Sequence, residues 1–168
     1  MRQDPWEALC SFIISQNNNI PRIKKIIASL CALLGEEISE GVYDFPTPES
    51  IARVGASGLA PIKAGFRAAY IADAAEKVAT GKLDLNSLYH VSLEDAVTAL
   101  CTIKGVGPKV AGCVALFGLG HMDSFPIDVW IKRVIEKYYD KDFTPKVFGE
   151  YAGIAQQYLF YHERYLAD

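Results

Sequence analysis

Apolar residues recur at helical spacing through most of this chain, and turn-forming residues separate the helical stretches. Asp4-Pro5 reads as an N-cap followed by proline at the first helical position, which predicts a helix over about residues 5–15. The run Asn17–Asn19 interrupts the apolar spacing, and its last asparagine can cap a second helix, which Gly35 ends. The N-terminal region is therefore predicted to be two helices joined by three asparagines.

The helical pattern continues to the end of the chain. A loop is predicted over about residues 36–47, and no stretch alternates apolar and polar residues over the length of a strand. The other predicted elements are a short helix from Thr47 to about Val54, a turn from Ser57, a helix over about 63–79, a helix opened by a capping box at Ser92, a helix from Pro108 to about Phe117, a helix capped by Asp128 and a last helix from Thr144 to about Tyr165. The predicted fold class is all-α.

The composition is typical of a globular protein. Of the 168 residues, 51% are hydrophobic and 22% are charged, which suits one compact unit over residues 1–168 built as two small helical lobes around a cleft. Apolar runs stay below the roughly 18 residues that a membrane span needs. The N-terminus has no basic stretch followed by an apolar one. We therefore expect an intracellular protein, with no membrane partner, that acts as a monomer.

Charge and cysteine content narrow the possible functions. A net charge of −3 and a pI of about 5.6 run against the basic character that is usual in nucleic-acid-binding domains. Cations do cluster locally, as at Lys104 and Lys109, and such a patch can steer DNA on an acidic protein. None of the four cysteines forms a Cys-x-x-Cys pair, so no zinc or iron–sulfur framework is indicated.

The segment from Ile103 to Lys109 has the composition of a tight turn between two helices. Gly105 and Gly107 flank one small apolar residue, and glycine permits positive φ and close approach of another backbone. Pro108 suits the first turn of the next helix, where its missing N–H is not needed. The unpaired N–H groups of such a turn, next to a positive helix end, predict a phosphate-binding site.

Several motifs in order resemble a known family. GVGPK is followed, nineteen positions after Lys109, by Asp128 in a Phe-Pro-Ile-Asp-Val context, and the triple asparagine lies upstream. This order resembles the helix-hairpin-helix DNA glycosylase superfamily, which includes endonuclease III. Within it, the chain is most similar to the 8-oxoguanine DNA glycosylase/AP lyase family, over nearly all of its length. The resemblance implies the helical fold of these glycosylases, with duplex DNA carrying a damaged base as partner.

The implied activity is base-excision repair of oxidised guanine. A family member flips 8-oxoguanine out of the duplex, removes it with a lysine nucleophile and nicks the strand by β-elimination. The family has an additional N-terminal α/β domain, and we expect this chain to be the catalytic helical region without it. Three alternatives stay open: an AP lyase, a glycosylase for another damaged base, and a non-enzymatic helix-hairpin-helix module that only binds DNA.

Two residues are predicted to be catalytic. An amine that attacks a sugar carbon must be unprotonated, whereas an ordinary lysine is neutral in only about one molecule in 10³ near pH 7. Lys109 lies in the first turn of a predicted helix, where the positive end of the dipole disfavours an ammonium ion. Asp128 is placed at a helix N-terminus, which favours its ionised form. By resemblance, Asp128 stabilises the cationic sugar and positions the amine.

The resemblance also assigns groups that contact DNA. Asn17 would insert opposite the widowed base, and its neighbours on that strand would be Arg22, Phe66 and Arg67. Phe66 stands where tyrosine is usual in mammalian members. The hairpin glycines, Gly105 and Gly107, would approach the phosphate backbone.

A base pocket and a cation site complete the predictions. By resemblance, Cys113 and Phe160 sandwich the flipped base and Gln156 pairs with its Watson–Crick edge; Lys109 and Cys113 are one helical turn apart, as are Gln156 and Phe160. No cofactor is expected to be required. A structural K⁺ or Na⁺ at the hairpin would be held by the main-chain carbonyls of Cys101, Ile103 and Val106. Trp130 stands where mammalian members have a phosphate-contacting histidine, which puts that contact in doubt.

Overall fold

In the computed structural model, residues 3–166 are described, and most of them lie in eight α-helices. The helices are α1 Pro5–Ser15, α2 Ile20–Leu34, α3 Pro48–Gly58, α4 Arg67–Ala79, α5 Leu93–Leu100, α6 Pro108–Phe117, α7 Val129–Tyr138 and α8 Ala152–Tyr161. Shorter helical segments are Ala60–Ile62, Ser87–Tyr89, Pro145–Tyr151 and His162–Leu166. The predicted all-α fold class is confirmed. Among residues 3–166, none of the helices combines the length and the apolar character that a membrane span requires.

Helix starts follow the capping residues that the sequence predicts. The side chain of Asp4 accepts a hydrogen bond from the N–H of Glu7 at the start of α1, and Thr47 does the same for Ser50 at the start of α3. Ser92 accepts from the N–H of Asp95 at the start of α5. Such caps satisfy N–H groups that have no partner inside the helix.

The three asparagines between α1 and α2 have separate structural roles. Asn17 has a left-handed backbone with φ of 46°, which asparagine tolerates better than most residues. The Asn18 side chain donates to the carbonyl of Ile14 at the end of α1. Asn19 accepts from the N–H of Arg22 and so caps α2. All three asparagines therefore stabilise the turn, the first through its backbone conformation and the other two through side-chain hydrogen bonds.

The predicted loop over 36–47 was wrong in part, because it contains a small antiparallel hairpin. Its strands are β1 Glu37–Ser39 and β2 Val42–Tyr43. Gly41 turns the chain with φ of 72°, and its N–H donates to the side chain of Glu37. Strands of three and two residues are too short to produce a detectable alternation in sequence.

Three helix boundaries also differ from prediction, each at a residue with positive φ. The helix predicted from about 63 begins at Arg67, because Lys63 and Gly65 are left-handed, with φ of 55° and 64°. Gly55 kinks α3 and joins the short helix to the turn predicted at Ser57. Gly149, with φ of 60°, kinks the 3₁₀ segment Pro145–Tyr151 that precedes α8, so the last predicted helix is interrupted.

The main core is formed by the elements from α1 to α6. Leu9, Ile13 and Ile14 of α1 are fully buried in it, together with residues from α2 to α6. Ile131 and Val134 of α7 are also buried, but outside that cluster. The last helix is held close to α6 at Gly153, where a Cβ would lie 2.4 Å from the Leu116 side chain. The close approach at Gly153 places α8 beside α6, and a cleft lies between the two helices.

Candidate functional site

The hairpin between α5 and α6 is a tight turn whose two glycines differ. Gly105 has φ of 76°, and a Cβ there would lie 2.2 Å from the Tyr70 ring. Gly107 is the N-cap of α6 with φ of −105°, and a Cβ there would meet nothing within 4 Å. Of the two glycines, only Gly105 has positive φ, whereas Gly107 leaves open space at the start of α6 for close approach of another molecule.

Several hairpin N–H groups are available to a ligand. The N–H of Lys104 donates to Asp73, and that of Val106 donates to the carbonyl of Ile103. Within residues 3–166, the N–H groups at 105, 107, 109 and 110 have no acceptor. The first two of these donors lie in the turn and the other two lie in the first turn of α6, at the positive end of the helix dipole. This arrangement suits a phosphate.

Lys109 and Asp128 line the same cavity between α6 and α8. The cavity has a volume of about 200 Å³. Its lining residues are Phe12, Lys109, Cys113, Phe117, Pro126, Asp128, Gln156, Gln157 and Phe160. Lys109 also lines a second cavity of about 480 Å³ on the side of Pro108 and Phe125. The structure therefore brings the two predicted catalytic residues and the three predicted base-pocket residues together.

The Asp128 carboxylate is oriented by the start of α7. Its Oδ1 accepts hydrogen bonds from the N–H groups of Trp130 and Ile131, both at 2.9 Å. Oδ2 accepts none from a described residue. The Lys109 side chain is exposed and makes no ion pair or hydrogen bond with residues 3–166. One carboxylate oxygen and one amine thus remain available to a substrate in the cavity.

Two further cavity residues, Cys113 and Gln156, are buried and interact with other protein groups. Burial raises the pKa of the Cys113 thiol to about 11, because the lowering effect of Lys109 is smaller and Asp128 adds to the rise. Gln156 is 4% exposed; its amide donates to the carbonyl of Pro126 at 3.1 Å and accepts from Gln157. Cys113 is therefore a neutral thiol at neutral pH, and Gln156 is held in one orientation.

The residues predicted to contact the widowed strand lie around the turn of three asparagines between α1 and α2, residues 17–19, which we name the Asn17 turn. Asn17 and Arg22 are exposed, and Phe66 is 51% exposed at the start of α4. Arg67 is only 2% exposed. Its guanidinium donates to the carbonyls of Gln16, Asn17 and Ala64. Arg67 thus holds the Asn17 turn against α4, a role that the sequence did not suggest.

The predicted cation ligands have suitable lone pairs. The carbonyl of Ile103 accepts one hydrogen bond, from Val106, at 3.1 Å. The carbonyls of Cys101 and Val106 accept none from the described residues. A carbonyl oxygen has two lone pairs, so each of the three retains at least one for a ligand. Among residues 3–166 there is no cluster of His, Cys, Asp and Glu that could hold a metal.

Sequence reasoning missed some of the cavity. Phe12 and Phe117 stack with ring centroids 5.5 Å apart and form part of its wall. Both occupy apolar helical positions, where core packing was the natural reading. Trp130 is not among the residues that line the cavity. The guanidinium carbon of Arg133 lies 4.8 Å from the centroid of the Trp130 ring. Only the packing of α1 on α6 could have identified the two phenylalanines.

A family model and a named relative match most of this chain. A family model described as HhH-GPD superfamily base excision DNA repair protein matches residues 10–147. A protein of Arabidopsis thaliana named N-glycosylase/DNA lyase OGG1 is 38% identical over 97% of this chain and 51% of its own length. The chain thus spans about half of that relative.

Two solved structures are similar over most of the chain. One, described as MBOgg1 in complex with a low affinity DNA ligand, has a TM-score of 0.90 and 46% identity, covering 98% of this chain and 61% of that one. The other is the 8-oxoguanine glycosylase/lyase of Clostridium acetobutylicum, bound to DNA with cytosine opposite 8-oxoG. It has a TM-score of 0.87 and 36% identity, with coverage of 98% and 61%.

Proposed function

Because this chain belongs to the HhH-GPD superfamily of base excision DNA repair proteins, we propose that it removes 8-oxoguanine from duplex DNA and then nicks the strand. The observation that carries the proposal is the shared cavity, in which Lys109 and Asp128 meet Cys113, Gln156 and Phe160. The similar proteins named as 8-oxoguanine glycosylase/lyase or N-glycosylase/DNA lyase support the substrate and the reaction.

Base extrusion comes before chemistry, because the target atom is inaccessible inside a duplex. The Phe160 ring and the Cys113 thiol offer faces for a flat base, and the amide of Gln156 offers hydrogen bonds to its edge. Exposed Asn17 and Phe66 would fill the gap that the base leaves. Burial of Gln156 supports this assignment, since a fixed amide discriminates better than a mobile one.

Lys109 is the proposed nucleophile. Its Nζ attacks C1′ of the damaged nucleotide, the bond from C1′ to the base nitrogen breaks, and the base leaves with the bonding electrons and takes up a proton. Ring opening gives a Schiff base between Nζ and C1′. Loss of a proton from C2′ then expels the 3′ phosphate, which nicks the strand, and hydrolysis releases the lysine.

Asp128 and the hairpin supply electrostatic stabilisation. The free oxygen of Asp128 is proposed to stabilise positive charge on the sugar while the base departs. The unpaired N–H groups of the hairpin and α6 would bind a phosphate of the same strand. When bound to the carbonyls of Cys101, Ile103 and Val106, a monovalent cation would add positive charge beside that phosphate. The proposed partner is damaged duplex DNA.

Borohydride trapping tests the nucleophile. We expect this chain to form a covalent adduct with a duplex containing 8-oxoguanine and with one containing an abasic site. Lys109→Gln should abolish both adducts and the nick while DNA binding persists, because the exposed side chain contributes little packing. Lys141→Gln, in the exposed loop after α7, is the matched control and should trap normally. An adduct with Lys109→Gln would show that another amine attacks.

The same assay separates the alternatives. Trapping on abasic DNA alone would indicate an AP lyase, or a glycosylase for another base. A wild-type chain that binds duplex but traps on neither substrate would indicate a DNA-binding module. Both outcomes contradict excision of 8-oxoguanine by Lys109.

Asp128→Asn tests the carboxylate. The amide oxygen of asparagine can still accept from the N–H groups of Trp130 and Ile131, so the helix cap is retained. Excision should slow by about 10²-fold, whereas DNA affinity should stay equal or increase, because a negative charge near phosphate is removed. Single-turnover rates at saturating enzyme measure this effect. An unchanged rate would limit Asp128 to capping α7.

A further inference from the structure

The hairpin is held from one side by a face of α4. Tyr70, Asp73 and Lys77 lie three and four residues apart, so they share that face. The Tyr70 ring fills the space that a side chain at Gly105 would need. The other two residues make polar contacts with the hairpin backbone. The three together define what we name the α4 clamp.

Two hydrogen bonds from the α4 clamp reach the hairpin backbone. Asp73 Oδ2 accepts from the N–H of Lys104 at 2.7 Å. Lys77 Nζ donates to the carbonyl of Thr102 at 2.9 Å. The same ammonium also bonds Asp73 Oδ2 at 2.6 Å. The carboxylate and the ammonium therefore bind adjacent parts of one turn and each other.

The position of the carboxylate raises an electrostatic problem. Asp73 takes one N–H of a turn whose next N–H, at Gly105, is available to a phosphate. Burial alone would raise the pKa of Asp73, but the hydrogen bonds from Lys77 and Lys104 outweigh it and hold that pKa below its usual value. Asp73 is thus ionised at neutral pH, so its charge would repel a phosphate bound at the next residue.

We propose that Asp73 and Lys77 are positioning residues for phosphate binding: Asp73 fixes the hairpin against α4, and Lys77 neutralises Asp73 so that a DNA phosphate can bind beside it. The inference rests on the proposed function, since it needs the hairpin to bind DNA. Both side chains are largely shielded from solvent, with 28% and 25% exposure, so water screens their interaction only partly. Lys77 acts through Asp73 rather than by contacting phosphate.

A double-mutant cycle distinguishes this role from a direct contact. Lys77→Met leaves the carboxylate of Asp73 without its counter-charge, and we expect the affinity for duplex DNA to fall about fivefold to tenfold. Adding Asp73→Asn removes the carboxylate charge, while the amide oxygen of asparagine can still accept from the N–H of Lys104 and hold the hairpin, so the double variant should return to within about twofold to threefold of wild type. If Lys77 contacted a phosphate directly, the double variant would bind as weakly as Lys77→Met.

The chain offers a matched control for the loss of one lysine. Lys82 pairs with Glu76 at 3.4 Å, and both side chains are more than 60% exposed. It makes no hydrogen bond with the hairpin among the described residues. Lys82→Met should change DNA affinity by less than about twofold at 0.15 M salt. Both lysine variants lower the net charge equally, so a general charge effect would appear in both.

Fluorescence anisotropy with a labelled duplex that carries a tetrahydrofuran abasic analogue measures the affinities at several salt concentrations. The slope of log affinity against log salt should be the same for wild type and the double variant, because no phosphate contact is lost. Thermal unfolding of each variant identifies any loss of folding, and Lys77→Gln provides a second, polar replacement. Equal affinity of wild type and Lys77→Met, or no recovery in the double variant, overturns the inference.

The wild-type result separates the two proposals. If wild type does not bind the duplex, the proposed function fails and the positioning role fails with it. If wild type binds and traps on abasic DNA but the cycle shows no recovery, the proposed function stands and only the positioning role fails.

Discussion

Helix α4 holds both the Asn17 turn and the hairpin between α5 and α6, but through different kinds of interaction. At the N-terminal end of the helix, the buried guanidinium of Arg67 donates to the carbonyls of Gln16 and Asn17 and to the carbonyl of Ala64 just before α4. Further along, Asp73 and Lys77 hold the hairpin with partly exposed groups, and Tyr70 fills the space beside Gly105. Arg67 is buried and stabilises the fold, whereas Asp73 and Lys77 are partly exposed and lie next to the proposed phosphate site.

This difference has a functional consequence. Phe66 and Tyr70 pack edge to face, with centroids 5.5 Å apart, so the group proposed to fill the gap in DNA touches the ring that supports the hairpin. Helix α4 therefore sets the distance between two turns that are proposed to contact DNA. We therefore expect Arg67 to govern the stability of the fold, and Asp73 and Lys77 to govern the affinity for DNA.

Arg67→Met should have the largest effect on stability. The substitution leaves buried carbonyls without donors, and hydrogen bonds to charged groups are worth about 1.5–3 kcal/mol each. We expect the free energy of unfolding to fall by about 3 kcal/mol or more, measured by urea denaturation. Arg22→Met, which removes one exposed bond to the carbonyl of Lys63, should cost below about 1 kcal/mol. Equal losses would remove the distinction between the buried and the exposed arginine.

Gly105→Ala should be next in size. Its φ of 76° is strained for alanine, by about 1–2 kcal/mol, and the new Cβ meets the Tyr70 ring. We expect a loss of about 2 kcal/mol or more in unfolding free energy. Gly107→Ala is the matched variant: its φ is negative and its Cβ has space, so stability should change little while DNA affinity falls. The opposite order of stabilities would contradict this assignment of the two glycines.

The smallest effect concerns pH. The pKa of Asp73 is lower in the folded protein than in the unfolded chain, so its contribution to stability is present above the unfolded pKa of about 3.9 and is lost as pH falls through the folded value. Relative to Asp73→Asn, wild type should therefore be more stable at pH 6, by about 1 kcal/mol or less, and the advantage should shrink towards pH 3. Urea denaturation at several pH values measures it. A difference that grows on acidification would have the wrong sign.

Much of the fold was predictable because its signals are local. Caps at Asp4, Asn19 and Ser92 and the turn around Gly105 each depend on residues a few positions apart. Boundaries set by a left-handed residue such as Lys63 were missed, since a lysine gives no sign of positive φ in sequence.

The site was predictable in part, for the same reason. The spacing from Lys109 to Cys113 is local, and their place in one cavity with Phe160 agrees with the resemblance. Arg67 was assigned as a DNA contact by resemblance alone; its partners Gln16 and Asn17 lie about 50 residues away, and only tertiary packing reveals them. Asp73 and Lys77 look like an ordinary surface pair until α4 is seen against the hairpin.

The protonation state of the cysteine thiols determines how readily oxidants react with this protein. Burial raises the pKa of Cys10, Cys31 and Cys101, and that of Cys113 to about 11. Peroxides oxidise the thiolate rather than the thiol, so cysteines held in the protonated form react slowly. The substrate proposed here is itself a product of oxidation. The packing that shapes the base pocket would therefore also protect Cys113 from the chemistry that damages the DNA.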